Sequence, residues 1–299
     1  IIPKLRPILW SRPQEEVIAE ARNMVSAGHQ EIVLTGVFLG AYGQGTALHR
    51  RQESPSAHIA SLIKELCTSV PGLARLRLSS LEPGDATPEL IETLRSFPQV
   101  VPHFHLPLQS GSADILRKMN RQYSTDDYRR MIDNIRAAFD RPAITTDVIV
   151  GFPGETDEDF AATTEMARYA QFLHVHAFPF SPREGTAAAR WKRQMIPQRI
   201  VTERMNQLQQ LSDELSLQFR SQFVGESVEL LVEHPNSSDV PESAAWLQTG
   251  VQHGRCERYF AVHFESPVDL TGKLVRVRIE RVTAQRTVGS LLEPARRAV

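Results

Sequence analysis

Between residues 14 and 220 the chain alternates helical repeats with short apolar runs, and that alternation leaves few folds open. QEEVIAEARNMVSA (14–27) has helical spacing and stops before Gly28. EIVLTGV (31–37) is a near-continuous apolar run, the pattern of a strand covered on both faces. The series goes on with helix 56–70, strand 75–81, helix 87–96, strand 101–108, helices 112–120 and 124–138, strand 144–151, helix 156–170 and strand 172–180. Strands joined by crossover helices run parallel, so this part is α/β, a sheet or a barrel. A βα-barrel begins on a strand, yet the first element here is a helix. The opening IIPKLRPILWSRP therefore reads as the loop that follows a strand lying before Ile1.

A second pattern takes over near the C-terminus. Helix 197–220 is long and amphipathic and reads as a connector. Beyond Phe223, SVELLVEH, RYFAVHF and KLVRVRIERV are short strands with no helix between them. In the last, Val275, Val277 and Ile279 fall on one face and Arg276, Arg278 and Glu280 on the other. A small antiparallel barrel with a half-basic outer face is expected, with a mobile loop at 235–245. The divisions are an incomplete barrel domain at 1–196, a connecting helix at 197–221 and a small β-barrel at 222–292.

Charge and cysteines exclude several functions. The net charge is −1, so no global field draws in nucleic acid, and any such contact needs a local basic patch. Cys67 and Cys256 are the only cysteines and have no metal-ligand spacing. Cys67 falls on the apolar face of helix 56–70, as a core thiol would. Two scattered thiols fit a reducing compartment, and no apolar run approaches a membrane span; a cytoplasmic protein is expected.

In parallel α/β folds ligands bind at the C-terminal strand ends. Here those ends read LTGVFLGAYG, LSSLEPGD, LPLQSGS, VIVGFPGET and FPFSPREGT, all rich in small and polar residues. In VIVGFPGET, Gly151 and Gly154 let the backbone approach a ligand or simply make a tight strand-to-helix turn, and the P-loop lysine is missing. Thr156 or Asp157 is positioned to cap the next helix, and Ser112 the helix at 112–120. His103 and His105 share a strand face, as metal ligands short of a third partner or as hydrogen-bonded core histidines. Five such ends in register predict a large cofactor site in a barrel mouth. In such a site the cofactor carries the chemistry and the protein supplies position.

The stretches SRPQEEV, EIVLTGVFLGAYG, RLRLSSLEPGD, HFHLPLQSGS, ILRKMNRQYSTDDY, TTDVIVGFPGET and HAFPFSPREGTAA together resemble the radical S-adenosylmethionine methylthiotransferases. The C-terminal strands resemble the TRAM domain, an RNA-binding barrel. LTGVFLGAYG and SSLEPGD are closest to the MtaB-type branch, which acts on threonylcarbamoyladenosine in tRNA. Phe38 departs from it, since related sequences carry a polar residue there. The alternatives are the MiaB-type isopentenyladenosine branch and a non-catalytic RNA-binding protein with a degenerate barrel.

The resemblance implies a partial (βα)6 TIM-like barrel lacking its first strand, plus the TRAM barrel. It implies S-adenosylmethionine and two [4Fe-4S] clusters, one of which receives an electron and cleaves S-adenosylmethionine to a radical that opens C2 of the adenosine. The cluster cysteines are expected before Ile1 in a CxxxCxxC loop, so no catalytic or metal-binding residue is assigned within the chain, and the chain alone is expected to be inactive. Cofactor-binding positions implied by motif match are Gly36, Ser79, Ser80, Glu82, Gln109, Ser110, Asp147, Val150, Gly151, Gly154, Phe178, Ser181 and Arg183. Gln109 and Ser110 are expected to face the barrel centre. Lys273, Arg276, Arg278, Arg281 and Arg286 are the expected tRNA contacts, with Arg190, Lys192 and Arg193 as possible additions. The remaining expectations are a flavodoxin or ferredoxin as electron donor, no membrane partner, and a monomer.

Overall fold

β-Branched and leucine-rich runs bounded by capped helices set the architecture of the computed structural model, which describes residues 10–44, 57–234 and 250–294. The opening IIPKLRP segment and the expected loop at 235–245 lie outside the described residues. Helix α1 (Gln14–Ser26) precedes strand β1 (Glu31–Leu34). There follow α2 (Ala57–Ser69), β2 (Arg75–Leu78), α3 (Pro88–Ser96), β3 (His103–His105), α4 (Ala113–Lys118) and α5 (Thr125–Ala138). The series ends with β4 (Ala143–Val150), α6 (Asp157–Ala170), β5 (His174–Pro179) and α7 (Gln198–Ser221). Thr87 and Ser112 cap α3 and α4, and Ser124 and Thr156 form capping boxes on α5 and α6. Of the two candidates for the cap of α6, Thr156 fills the role.

The five strands are parallel and lie in chain order. β1 pairs with β2, β3 with β4, and β4 with β5. Bridges at Leu76–Val100 and Ser80–His105 join the two groups into one arc. Sequential order is that of a barrel wall rather than a doubly wound sheet, so the α/β barrel-like expectation holds. The outer face of the arc is apolar. Ile32, Leu34, Leu76, Leu78, Phe104, Ile144, Val148, Val150 and Val175 are buried there in one core with the helices. The inner face is polar, with Arg75, Arg77, His103, His105, Thr145, Asp147, His174 and His176 following the pleat.

β6 (Ser227–Val232), β7 (Val251–Cys256), β8 (Ala261–Glu265), β9 (Leu274–Val282) and β10 (Thr287–Pro294) close a second barrel in the order β10-β8-β7-β6-β9. All its pairings are antiparallel except a single parallel contact between β10 and β8. Its interior is apolar, with Val228, Leu230, Cys256, Val262, Phe264, Val275, Val277 and Ile279 fully or almost fully buried. Two strands were not visible as patterns in the sequence. β7 is polar and carries Gly254, where a Cβ would lie 2.3 Å from the Leu231 carbonyl oxygen. β10 carries Gly289, where a Cβ would press on Val277, and its register shifts beside that glycine.

Helix α7 does more than connect. Val201, Leu208, Leu211 and Leu215 join the core of the arc, and Phe219 enters that of the second barrel. Ser212 Oγ accepts the β5 amide of Val175 at 3.0 Å.

The second barrel closes one end of the arc. Arg75 and Arg77, 2% and 3% exposed, carry charges that must be compensated. Glu31 takes Arg77 through two contacts of 2.9 and 3.0 Å, and Glu229 of β6 takes Arg75 at 3.1 Å. The carbonyls of Arg255 and Glu257 accept from Arg75 and Arg77. Tyr259 leans on this floor. Its ring stacks on His103 with centroids 4.6 Å apart, and the guanidinium groups of Arg77 and Arg255 lie 4.8 and 4.9 Å from its centre. Its φ of +74° is a strained value for a tyrosine. Among the described residues no helix is long and apolar enough to cross a membrane.

Candidate functional site

The strand ends opposite this floor hold most of the expected cofactor positions. Gly36 is exposed in the turn after β1, and a Cβ there would meet only ordinary contacts. Ser79 and Ser80 leave β2 half-buried, and Ser79 Oγ is shielded from solvent without a hydrogen-bond partner. A buried hydroxyl left without a partner fits a site built for a polar ligand. Glu82 lies in the next turn, 3.5 Å from Arg121, and its amide donates to Asp85 at 2.9 Å. Asp85 was not foreseen as part of the site. It is buried directly against Gly40, where a Cβ would fall 1.9 Å from its carboxyl carbon, so the loops after β1 and β2 lock together through a glycine and a carboxylate.

The LPLQSGS end corrects one expectation. Gln109 sits at φ 63° and its backbone continues the ladder, donating to Asp147 O at 2.8 Å and accepting from Ile149 N at 2.9 Å. Ser110 is 1% exposed and turns away from the barrel centre, lying 3.4 Å from the Thr163 hydroxyl of α6 and bonding the Ser112 amide. Gly111 permits this docking, because a Cβ would come within 2.5 Å of the Ala162 carbonyl oxygen. Ser110 therefore holds α6 in place.

The VIVGFPGET turn is built from within. Val150 is fully buried, with its side chain in the outer core. Gly151 and Gly154 both have φ of 78°, a value that favours glycine. A Cβ at Gly151 would strike Val201 of α7 at 2.6 Å, and one at Gly154 would meet Gln194 and Lys118 at 2.9 Å. Their immediate reasons are turn geometry and packing. The turn is pinned by Glu155, whose carboxylate accepts Gly151 N at 2.9 Å and the Arg204 guanidinium at 2.6 Å. Burial raises the Glu155 pKa, and the Gly151 amide and Arg204 pull it back down. Arg204 also reaches Asp157 at 2.7 Å. Glu155 and Arg204 escaped the sequence reading because their partnership spans a crossover. Phe178, Ser181 and Arg183 are exposed at and beyond the end of β5.

Asp147 is not at a strand end. It lies inside β4 on the inner face, and register places it beside His176. Its Oδ2 is 3.3 Å from His105 Nε2. His105 Nδ1 is 3.0 Å from Thr145 Oγ1, which is 3.3 Å from His103 Nε2. His105 thus has the Nε2 edge of its ring toward the Asp147 carboxylate and the Nδ1 edge toward the Thr145 hydroxyl. The rings of His176 and His105 are 6.0 Å apart, and those of His174 and His176 are 4.3 Å apart. Burial holds His103 well below the ordinary imidazole range, aided by Arg77, His105 and His176. Burial lowers His174 and His176 as well, with Asp213 and Asp147 respectively opposing it.

On the second barrel, Arg276 and Arg278 share the exposed face of β9, and Lys273, Arg281 and Arg286 are exposed near its ends. Arg276 donates to Ser227 Oγ at 2.9 Å. Register sets Glu229 beside Arg276, so acidic groups interrupt the patch.

An iron–sulfur cluster does not fit the residues present. Cys67 is buried in α2 and Cys256 in β7, and burial pushes the two thiols up to about 11 and about 12. Among the described residues no group of three or more His, Cys, Asp and Glu side chains could hold a metal ion.

Residues 2–167 match the model of the radical SAM superfamily. The threonylcarbamoyladenosine tRNA methylthiotransferase MtaB of Bacillus subtilis (strain 168) is 38% identical over 93% of this chain and 58% of its own length. The MtaB protein of Chlamydia pneumoniae is 36% identical over 98% of this chain and 64% of its own. The tRNA-2-methylthio-N(6)-dimethylallyladenosine synthase of Mycobacterium avium (strain 104) is 42% identical over 78% of this chain and 32% of its own. The chain thus spans between about a third and two thirds of these relatives.

Proposed function

Because the chain belongs to the radical SAM superfamily, which implies S-adenosylmethionine and a [4Fe-4S] cluster, we propose that it forms the cofactor- and tRNA-holding part of a tRNA methylthiotransferase acting on threonylcarbamoyladenosine. The observation that carries the reading is the pairing of a polar, open-mouthed parallel arc with a closed barrel that bears arginines on its outside. S-adenosylmethionine, when bound, would supply the methyl and adenosyl groups, the electron for radical chemistry would have to come from a reductant that the residues present do not hold, and the protein supplies position. Ser79, Glu82, Gly36 and the Gly151–Gly154 turn are the residues that would hold it. Glu155 and Arg204 keep that turn rigid, and Asp85 fixes the loop after β1. Two clusters held by cysteines other than Cys67 and Cys256, a flavodoxin or ferredoxin donor and a monomeric state complete the reading.

Arg276 and Arg278, with Lys273, Arg281 and Arg286 flanking them, would grip RNA phosphates without reading sequence. Titrating the chain with tRNA at several salt concentrations tests this. Affinity should fall linearly on a log–log plot, and the Arg276→Ala, Arg278→Ala double variant should flatten that slope by about two charges. A double variant with the wild-type affinity and slope would remove the RNA reading. A titration with S-adenosylmethionine tests the cofactor half. Ser79→Val should weaken binding by about tenfold if its hydroxyl meets the ligand.

A further inference from the structure

We propose that the inner wall formed by His105, Asp147 and His176 seats the N6 substituent of the target nucleoside and selects a polar, hydrogen-bonding substituent over an apolar one. The proposal rests on the tRNA reading above and names the substrate class of the same chamber. The three residues come from three consecutive strands, β3, β4 and β5, and register puts them on one face. They are reachable from the lumen. The side chains of His105 and Asp147 are 22% and 32% exposed, and His176 is exposed.

The hydrogen bonds already made fix what the wall can offer. His103, Thr145 and His105 are hydrogen-bonded in a row, and His105 Nε2 lies 3.3 Å from Asp147 Oδ2, so the nearest acceptor for that edge of the ring is the carboxylate rather than a ligand. Asp147 has His105 Nε2 3.3 Å from Oδ2 and keeps acceptor capacity for incoming N–H or O–H groups. His176, beside it in register, supplies a ring nitrogen that can donate to a carbonyl or carboxylate. The floor beneath is also polar, with Arg77 and His103 around Tyr259.

An apolar substituent on this wall would strip water from the Asp147 carboxylate and the His176 ring and give nothing back. A threonylcarbamoyl group carries N–H and O–H donors for Asp147 and acceptors for His176. Phe178, an exposed apolar side chain of the same strand, lies two residues beyond His176, nearer the strand ends, where a base can stack. Recognition of hydrogen-bonding groups also discriminates more sharply than an apolar pocket does, since a wrong ligand leaves polar groups unpaired.

The test uses three anticodon stem-loops of one sequence, carrying adenosine, threonylcarbamoyladenosine or dimethylallyladenosine at the target position. Dissociation constants are read by fluorescence anisotropy at several salt concentrations, and compared at matched salt, for the wild-type chain and for His176→Leu, Asp147→Asn and His176→Gln. The wild type should prefer the threonylcarbamoyl loop to the dimethylallyl loop by about tenfold or more. His176→Leu should bring that ratio close to one, Asp147→Asn should lower it, and His176→Gln should restore part of it. Equal wild-type affinities for the two modified loops, a preference for the dimethylallyl loop, or a full ratio kept by both His176→Leu and Asp147→Asn would overturn the assignment. Salt-dependent binding with no discrimination would sink the wall and leave the RNA reading standing. Absence of salt-dependent binding to any loop would remove the RNA reading and this assignment with it.

Discussion

Two strands of this protein carry nearly the same pattern and give their arginines opposite fates. In β2, RLRL places Arg75 and Arg77 at 2% and 3% exposure inside the arc. In β9, VRVRI places Arg276 and Arg278 in solvent. The period is two in both cases; the difference lies in what covers each face. The helices cover the apolar face of β2, and the second barrel comes up against its charged face with Glu229 and two carbonyls. Among the described residues, Arg276 and Arg278 on the charged face of β9 stay exposed. Alternation therefore fixes the two faces of a strand, and the neighbours decide which of them sees water.

The largest expected effect breaks the buried half of this comparison. Arg75→Ala removes a buried donor from Glu229 and from the Arg255 carbonyl, while Glu31 keeps Arg77 and Glu229 is partly exposed, so it should cost about 1–3 kcal/mol in guanidinium unfolding. A loss below about 1 kcal/mol would mean that the arginine is as dispensable as a surface charge.

Acid comes next. His103, His174 and His176 on the inner face have folded pKa values below the usual 6.5, so the unfolded chain takes up protons first as pH falls. Stability should therefore be full above 6.5 and decline below it. The midpoint in urea should be lower at pH 5.5 than at 7.5, and His103→Gln should reduce that difference. An unchanged midpoint would show that the inner face charges without cost.

Tyr259 sharpens the comparison at the floor. At φ +74°, alanine keeps the strain and loses the ring, whereas glycine loses the ring and sheds the strain. Tyr259→Gly should be more stable than Tyr259→Ala by about 1 kcal/mol, the reverse of the usual order away from positive φ. The smallest effect belongs to the exposed arginines. Arg276→Ala and Arg278→Ala should each stay within about 0.5 kcal/mol of wild-type stability, whatever they do to RNA binding.

Much of the arc was legible because its signals are local. Apolar runs, helix stops and the caps at Ser112 and Thr156 all appear within a few residues of one another. The polar strand ends also fell where the alternation put them. What was hidden depends on distant partners. Ser110 looked like a lumen residue until Thr163 claimed it. The glycines of GFPGET read either as room for a ligand or as a tight turn, and Val201 and Gln194 occupy the space a side chain would need. β7 and β10 were missed because Gly254 and Gly289 serve tight strand crossings and weaken the apolar alternation.

The floor of the arc also sets an order of events during synthesis. Arg75 finds its partners 154 and 180 residues later in the chain, and Arg77 finds Glu257 at the same distance of 180. At ordinary translation speeds of about 5–20 residues per second, those partners leave the ribosome roughly 10–40 seconds after the arginines do. The nascent arc must spend that interval with its basic interior open to water. Its final consolidation waits for the last strands, so a stalled or shortened product would expose the same interior to chaperones and proteases.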